Sequence, residues 1–204
     1  MPNTYLKNKI RNYGIYNTII IIILIFSAFI AGRYFLFEGS LNLVVGAVLG
    51  VMGGVILYII EHHISRQASF SKGLKLEMQI EAKLKKLKIE YTPHIETDYG
   101  DLDFLIEKGV QYYGIEAKNW SGGVKFENGL LKVANWECNH ILRELLQHCL
   151  LARNKEFGED SNNFIKPVLV FGYKADVYIP QNKIMFNNRE IIVATIQDFE
   201  QHIK

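Results

Sequence analysis

Two long apolar segments stand out in the hydropathy pattern of the N-terminal part of the chain. The first runs from Ile15 to Gly32 and the second from Leu41 to Ile60, and neither contains a charged residue. A helix needs about 20 mainly apolar residues to cross a lipid bilayer, and the turn between the segments is only eight residues long. The pattern therefore predicts a transmembrane helical hairpin over residues 15–62, preceded by a short N-terminal segment, residues 1–14.

A cleavable signal peptide is the alternative interpretation of the first segment. It fits less well, because the segment is long, lacks a clean cleavage site and is followed at once by a second apolar segment. Basic residues flank both outer ends of the hairpin, and such flanks favour the cytoplasmic side of a membrane. We therefore expect a cell-membrane protein with two spans, whose termini and C-terminal domain are all cytoplasmic. The flanking residues are Lys7, Lys9, Arg11, Arg66 and Lys72.

Glycine recurs at four-residue intervals in the second apolar segment, at Gly46, Gly50 and Gly54. Small residues at this spacing let the backbones of membrane helices approach closely. Packing of the two spans against each other is the simpler use of this row. Homodimerisation through the membrane is the alternative.

After residue 62 the composition becomes that of a soluble protein, with residues 63–70 as a linker and residues 71–204 as one domain. Apolar residues at helical spacing predict helices over 71–89 and 139–156, and alternating or wholly apolar runs predict strands. The order of elements predicts an α/β fold, with a mixed sheet flanked by helices and preceded by two transmembrane helices. The strands are expected within 91–99, 102–106, 110–117, 124–133, 164–173 and 191–196, followed by a closing helix at 197–203.

The charge of this domain is balanced. From Arg66 onward basic and acidic residues number 19 each, so the domain is not a generally basic surface for nucleic acid. Contacts to phosphate would have to come from local clusters. The two cysteines of the chain, Cys138 and Cys149, imply no disulfide framework and fit a reducing compartment.

One predicted hairpin, residues 100–122, carries an unusual set of charges: Asp101 and Asp103 on one strand, Glu116 and Lys118 on the other. Side chains two residues apart share a face of a strand. A turn centred near Lys108 and Gly109 places Glu116 opposite Asp101, and a shift of two residues places it opposite Asp103 instead. Either register gathers three carboxylates and one ammonium on one face.

Such a face is destabilising unless a cation balances it. Mg²⁺ prefers hard oxygen ligands and takes one or two carboxylates together with phosphate oxygens. Asp103 and Glu116 are therefore candidate ligands of Mg²⁺ or Mn²⁺, and Lys118 is a candidate to orient or deprotonate the water that attacks a phosphodiester. A merely solvated hairpin face is the equally weighted alternative.

These residues also carry a resemblance. Asp103 followed after twelve residues by Glu116-Ala117-Lys118 resembles the signature of the PD-(D/E)XK nuclease superfamily. Gly100-Asp101-Leu102-Asp103 with Ile115 to Gly122 looks like the nuclease-related domain, NERD. The resemblance spans roughly residues 71–204 and implies a restriction-endonuclease-like fold. It also implies metal-dependent nuclease activity on nucleic acid, with DNA favoured over RNA.

The resemblance also implies roles for residues on the helices. Gly73 to Glu77 matches the first helix of the family, which makes Glu77 a metal-site or water-orienting carboxylate. Family members often carry a glutamine four residues after an asparagine on a later helix. Counting from Asn139, this chain has Arg143 there and Gln147 one turn later. Candidates for support or substrate contact are Asp101, Trp120, Arg143 and Gln147.

Two other groups of metal-ligating residue types are set aside. His94, Glu96 and Asp98 alternate in a predicted edge strand and are interpreted as its solvated face. Cys138, His140, His148 and Cys149 match no paired zinc spacing. Two further functions remain open beside nuclease activity: a catalytically inactive module of the same fold that binds nucleic acid, and a membrane-tethered scaffold.

Overall fold

The computed structural model describes residues 43–203, together with positions 15, 18, 19, 21–23 and 27. The chain divides into two compact units, Met1–Leu74 and Lys75–Lys204. The predicted N-terminal segment 1–14, much of the first apolar segment and the turn at 33–40 lie outside the described residues.

In the first unit, the described positions of the first apolar segment are helical, and helix α1 (Leu43–Leu87) begins in the second. Residues 63–70, the predicted linker, are part of this helix. Several apolar side chains of this unit are exposed, among them Ile19, Ile22, Val55 and Leu57. Among the residues that the structure describes, no helix combines the length and the hydropathy of a membrane span.

The second unit contains the end of α1, two further helices and two sheets in its described part. The helices are α2 (Asn139–Phe157) and α3 (Phe199–His202), and Pro180–Asn182 form a single 3-10 turn. The strands are β1 (Glu90–Thr97), β2 (Gly100–Lys108), β3 (Gln111–Lys118), β4 (Gly122–Glu127), β5 (Leu130–Val133), β6 (Trp136–Glu137), β7 (Ile165–Phe171), β8 (Ala175–Val177), β9 (Lys183–Phe186) and β10 (Arg189–Thr195).

The larger sheet has the strand order β1-β2-β3-β7-β10-β9. Its inner pairs β3–β7 and β7–β10 are parallel, whereas β1–β2, β2–β3 and β9–β10 are antiparallel. The predicted mixed sheet is therefore confirmed. The hairpin β4–β5 does not join it, because β4 pairs with β8 in a separate sheet of order β6-β5-β4-β8.

Helices cover both faces of the larger sheet, as the alternation along β7 shows. Val168 and Val170 pack in one core cluster with Leu76, Ile80 and Leu84 of α1. Leu169 and Phe171 pack in the other cluster, which contains the buried side of α2. A strand that is buried on both faces reads as a continuous apolar run, so the prediction for this strand is confirmed together with the flanking helices.

The register of β2 against β3 is the second of the two predicted alternatives. Phe104 pairs with Ile115 and Lys108 with Gln111, so the turn consists of Gly109 and Val110. Gly109 has φ +64°, as tight hairpin turns require. The expected pairing of Glu116 with Asp101 is thus wrong. Moving the turn centre by one residue shifts the pairing by two, and continuing the register places Glu116 opposite Asp103.

Candidate active site

Asp103 lies where β2 departs from regular alternation. Leu102 and Leu105 pack in the core cluster under α2, whereas Phe104 and Ile106 pack in the cluster under α1. Strict alternation would place Leu102 with Phe104, so the strand is irregular at Asp103. The Asp103 carboxylate accepts a hydrogen bond from the backbone N–H of Ala117 in β3, with an N···O distance of 2.7 Å.

Asp103 is joined by Glu77 from α1 and His94 from β1. One ligand atom of each residue lies within 4.8 Å of the other two, and His94 Nε2 lies 3.6 Å from Glu77 Oε2. Burial raises the pKa of Asp103 well above its usual range, and the charges of Glu116 and Glu77 raise it further. We call these three residues the triad. They are donors that could hold a divalent cation.

Glu116 and Lys118 lie on β3 and share the face toward α2. Lys118 Nζ donates to Glu116 Oε1 over 2.7 Å. The second oxygen, Oε2, lies 3.7 Å from His148 Nδ1 of α2, and His148 Nε2 is 3.3 Å from the carbonyl oxygen of Tyr99. Glu116 and His148 are the buried polar residues of the described part. We call Glu116, Lys118 and His148 the Glu116 group.

The charges of this group stabilise one another. Burial opposes ionisation of Glu116, but the nearby imidazole of His148 and the ammonium of Lys118 hold its pKa below the usual range. The neighbouring carboxylate of Glu116 in turn raises the pKa of His148. Burial would lower the pKa of Lys118, yet Glu116 and then Asp103 raise it. Lys118 is therefore an ammonium at neutral pH, which favours orienting water or phosphate over acting as a base.

Gly100 makes room for His148. Its φ is +132°, a conformation that favours glycine, and a Cβ atom there would lie 2.8 Å from His148 Nε2. The glycine that opens the Gly-acid-x-Asp stretch thus has a packing role that the sequence alone did not reveal.

Among the described residues, no hydrogen bond or ion pair joins the four support candidates to these two groups. Asp101 pairs with Glu96 of β1. Trp120 lies in the partly exposed connection between β3 and β4. Arg143 is exposed on α2, and among the described residues no hydrogen bond or ion pair includes it. Gln147 is exposed and lines a separate cavity of about 500 Å³ beside Arg153 and Phe164.

Two site residues were missed by the sequence reasoning. His94 was interpreted as part of a solvated face, but only 22% of its side chain is exposed. Its φ of +50° departs from strand geometry, so alternation could not place it. His148, rather than Arg143 or Gln147, is the α2 residue that reaches Glu116. Its position at the helical stripe of Leu145 and Cys149 was the available signal.

The other residues of the two groups of metal-ligating residue types are either exposed or buried in the core. Glu96 and Asp98 are exposed. Cys138 and Cys149 are free, buried thiols in the core, and burial raises the pKa of both. In the part of the chain that the structure describes, neither cysteine belongs to a group of three or more ligand side chains close enough to hold a metal ion.

Comparison with known proteins adds no assignment. No family model matches the chain, and neither a curated protein nor a solved structure is significantly similar to it. The functional argument therefore rests on the residues and their geometry.

Proposed function

We propose that this protein is a membrane-anchored, metal-dependent nuclease that hydrolyses phosphodiester bonds, with DNA favoured over RNA. The observation that carries the proposal is the position of Asp103 on β2 beside the Glu116–Lys118 stretch of the adjacent strand β3. Hydrogen bonding links Asp103 to the residue between Glu116 and Lys118. The resemblance of these positions to NERD proteins of the PD-(D/E)XK superfamily supports the same function.

The residues present fit a divalent cation. Asp103 shares its surroundings with two further carboxylates, and burial together with their charges raises its pKa. Asp103 would hold the ion, with Glu77 or Glu116 as the second carboxylate. When bound, such an ion supplies positive charge against the phosphate and acidifies nearby water. Mg²⁺ and Mn²⁺ both suit carboxylate ligands.

The chain's own residues divide the remaining work. Lys118, held as an ammonium by Glu116, presents N–H donors and positive charge to a phosphate oxygen or to the attacking water. Glu116 fixes the position of Lys118 through their hydrogen bond. The imidazole of His148 lies 3.7 Å from the other carboxylate oxygen of Glu116 and is itself 3.3 Å from the carbonyl oxygen of Tyr99.

The test is a digestion screen with the full-length chain in detergent micelles. Labelled duplex, single-stranded and branched DNA and matched RNA are incubated with Mg²⁺, with Mn²⁺, and with a chelator. We expect cleavage that needs the metal and that falls on the order of 10²- to 10³-fold in Lys118→Ala, because a preorganised positive donor is lost. Asp103→Asn should remove cleavage.

Matched controls are available on exposed strand positions. Lys125→Ala in β4 and Asp176→Asn in β8 change the same residue types away from the site, and both should keep full activity. Cleavage that survives in Lys118→Ala and Asp103→Asn contradicts the proposal. Nucleic-acid binding without any cleavage would favour the inactive module, and neither binding nor cleavage would favour the scaffold.

The membrane anchor is part of the same proposal. Its support is the pair of uncharged apolar segments and the exposed isoleucines Ile19, Ile21, Ile22 and Ile23, since clustered exposed apolar side chains mark a surface that avoids water. The full-length chain should stay in the membrane fraction after an alkaline carbonate wash, and deletion of residues 15–60 should release it. Protease should digest residues 71–204 in inverted vesicles but not in intact spheroplasts.

The glycine row gives this anchor a second expected property. Among the residues that the structure describes, no atom lies within 4 Å of a Cβ atom added at Gly54, which is compatible with close approach of another helix backbone. We propose a homodimer through Gly46, Gly50 and Gly54. Crosslinking in membranes should detect it, and Gly50→Leu should abolish it; an unchanged dimer fraction in this variant contradicts the role of the row.

A further inference from the structure

We propose that the triad, Glu77, His94 and Asp103, is a binding site for a first-row transition-metal dication, and that its imidazole makes the site prefer Mn²⁺ to Mg²⁺. The three side chains come from different elements, α1, β1 and β2, and their ligand atoms lie within 4.8 Å of one another. None of the three is fully exposed. The proposal refines the proposed function and rests on it for the role of the ion.

The distribution of positive charge favours the triad over Glu116 as the metal position. Glu116 already has two basic partners, Lys118 at 2.7 Å and His148 at 3.7 Å. A cation beside Glu116 would be repelled by the ammonium of Lys118. Asp103 has no such partner: among the described residues, no ammonium or guanidinium nitrogen lies within 4.0 Å of its carboxylate. The hydrogen bond that its carboxylate accepts from Ala117 comes from a neutral peptide group.

The backbone conformation of His94 also supports its place in the triad. His94 adopts a left-handed backbone conformation, φ +50°, which a strand residue with an outward side chain does not need. Its ring turns toward Glu77, with Nε2 3.6 Å from Oε2. This separation is longer than a hydrogen bond.

The imidazole decides the kind of ion. Mg²⁺ takes oxygen ligands almost exclusively and requires a nearly ideal octahedron. First-row transition ions accept imidazole nitrogen together with carboxylate oxygen. Two carboxylates and one imidazole therefore favour such an ion, and Mn²⁺ is the member of the series closest to Mg²⁺ in its tolerance of oxygen ligands.

The rival explanation is an ion pair between protonated His94 and Glu77 with no role for a metal. Calorimetric titration of the full-length chain in detergent with Mn²⁺ and with Mg²⁺ distinguishes the metal site from the ion pair. Electron spin-echo spectroscopy of the Mn²⁺-loaded protein adds a direct readout, because a directly bound imidazole nitrogen modulates the echo.

Two variants of His94 and one control define the expected result. His94→Ala should weaken Mn²⁺ binding on the order of 10- to 100-fold, as loss of support at a metal site does, and should remove the nitrogen modulation. His94→Asn keeps a residue that tolerates positive φ and replaces the nitrogen ligand by an amide oxygen, so it should abolish the preference for Mn²⁺ over Mg²⁺. The exposed His140 of α2 is the matched control, and His140→Ala should bind as the unaltered chain does.

Equal Mn²⁺ affinity in the unaltered chain and in His94→Ala overturns the inference, as does an echo without nitrogen modulation. Absence of any Mn²⁺ binding overturns it too and leaves the ion pair as the explanation. These readouts need no turnover. A protein that binds Mn²⁺ through His94 but cleaves no nucleic acid therefore contradicts the proposed function while this inference stands.

Discussion

The two groups of the candidate site differ in how their charges are balanced. Glu116 has an ammonium and an imidazole beside it, and its pKa is held low. Asp103 faces two other carboxylates, and its pKa is raised. Both acids lie on the same hairpin, Asp103 on β2 and Glu116 on β3. The chain thus stabilises one carboxylate through an ion pair with Lys118, whereas the other has no lysine or arginine nitrogen within 4.0 Å among the described residues.

This difference separates residues that maintain the fold from residues that await a ligand. A buried ion pair that loses one partner leaves an uncompensated charge, which is costly. A crowded carboxylate without a cation already bears such a cost before any mutation. The two acids should therefore respond to neutralisation with opposite signs of stability change.

The largest effect is expected at Glu116. In Glu116→Gln, Lys118 and His148 lose their shared anion, and we expect the free energy of unfolding to fall by about 3 kcal/mol. Denaturant unfolding of the full-length chain in the presence of a chelator measures it. Glu127→Gln, at an exposed position whose nearest ammonium is 3.7 Å away, is the control and should change stability by less than about 1 kcal/mol. A similar loss in both variants would remove the distinction.

A smaller effect is expected when the Glu116 group is disturbed without a change of charge. Gly100→Ala introduces a Cβ atom 2.8 Å from His148 Nε2 at a backbone φ of +132°. We expect destabilisation of about 2 kcal/mol, from backbone strain and displacement of the ring. Gly129→Ala, at φ +77° with open space around its Cβ position, retains the strain without the contact. The difference between the two variants measures the contact with His148, and equal losses would show that the contact contributes nothing.

Neutralising Asp103 should act in the opposite direction. Asp103→Asn keeps an oxygen that can accept the Ala117 N–H and removes the charge that repels Glu77 and Glu116. We expect the metal-free protein to gain about 1 kcal/mol of stability, while stabilisation by added Mn²⁺ disappears. Thermal unfolding with and without the ion measures both. A destabilised Asp103→Asn variant would show that the carboxylate is already balanced.

The pH dependence of stability should show the same contrast. At any single pH we expect this effect to be the smallest of those described. A raised pKa means that folded Asp103 binds its proton more tightly than the unfolded chain, so its contribution falls as pH rises from the unfolded pKa to the folded one. Glu116 has the opposite sign: its stabilisation is present above its unfolded pKa and is lost as pH falls through the lowered folded value. Unfolding of each neutral variant against the unaltered chain, in chelator from pH 3 to 8, separates the two.

In this comparison, the Asp103→Asn difference should vanish below about pH 4, where the aspartic acid is protonated in both states. The loss of stability in Glu116→Gln should also become smaller in acid, whereas the change in Asp103→Asn starts from a gain of stability. Two difference curves of the same sign would contradict the assignment of opposite pKa shifts.

What the sequence could predict follows from how local each interaction is. Glu116 and Lys118 are two residues apart on one strand, so alternation alone placed them on one face. The flanking helices and the buried strand β7 followed from apolar periodicity in the same way. The register of β2 against β3 depended on one residue in the turn, and the pattern left both alternatives open.

The rest could not be predicted because it depends on irregular backbone or on distant pairing. His94 reaches the triad through a left-handed conformation that interrupts alternation. His148 reaches Glu116 across the core, and no local spacing links the two. β8 removes the hairpin β4–β5 from the main sheet by pairing with β4, a contact between segments about 50 residues apart.

The bond that fixes Asp103 has a consequence for how this hairpin tolerates change. Its donor is the peptide nitrogen of residue 117, so every amino acid except proline supplies it equally well. The alanine side chain contributes only its small volume against the neighbouring core. Substitutions at residue 117 therefore leave the hydrogen bond to Asp103 in place. Proline is the one replacement that would remove it, because proline has no backbone N–H.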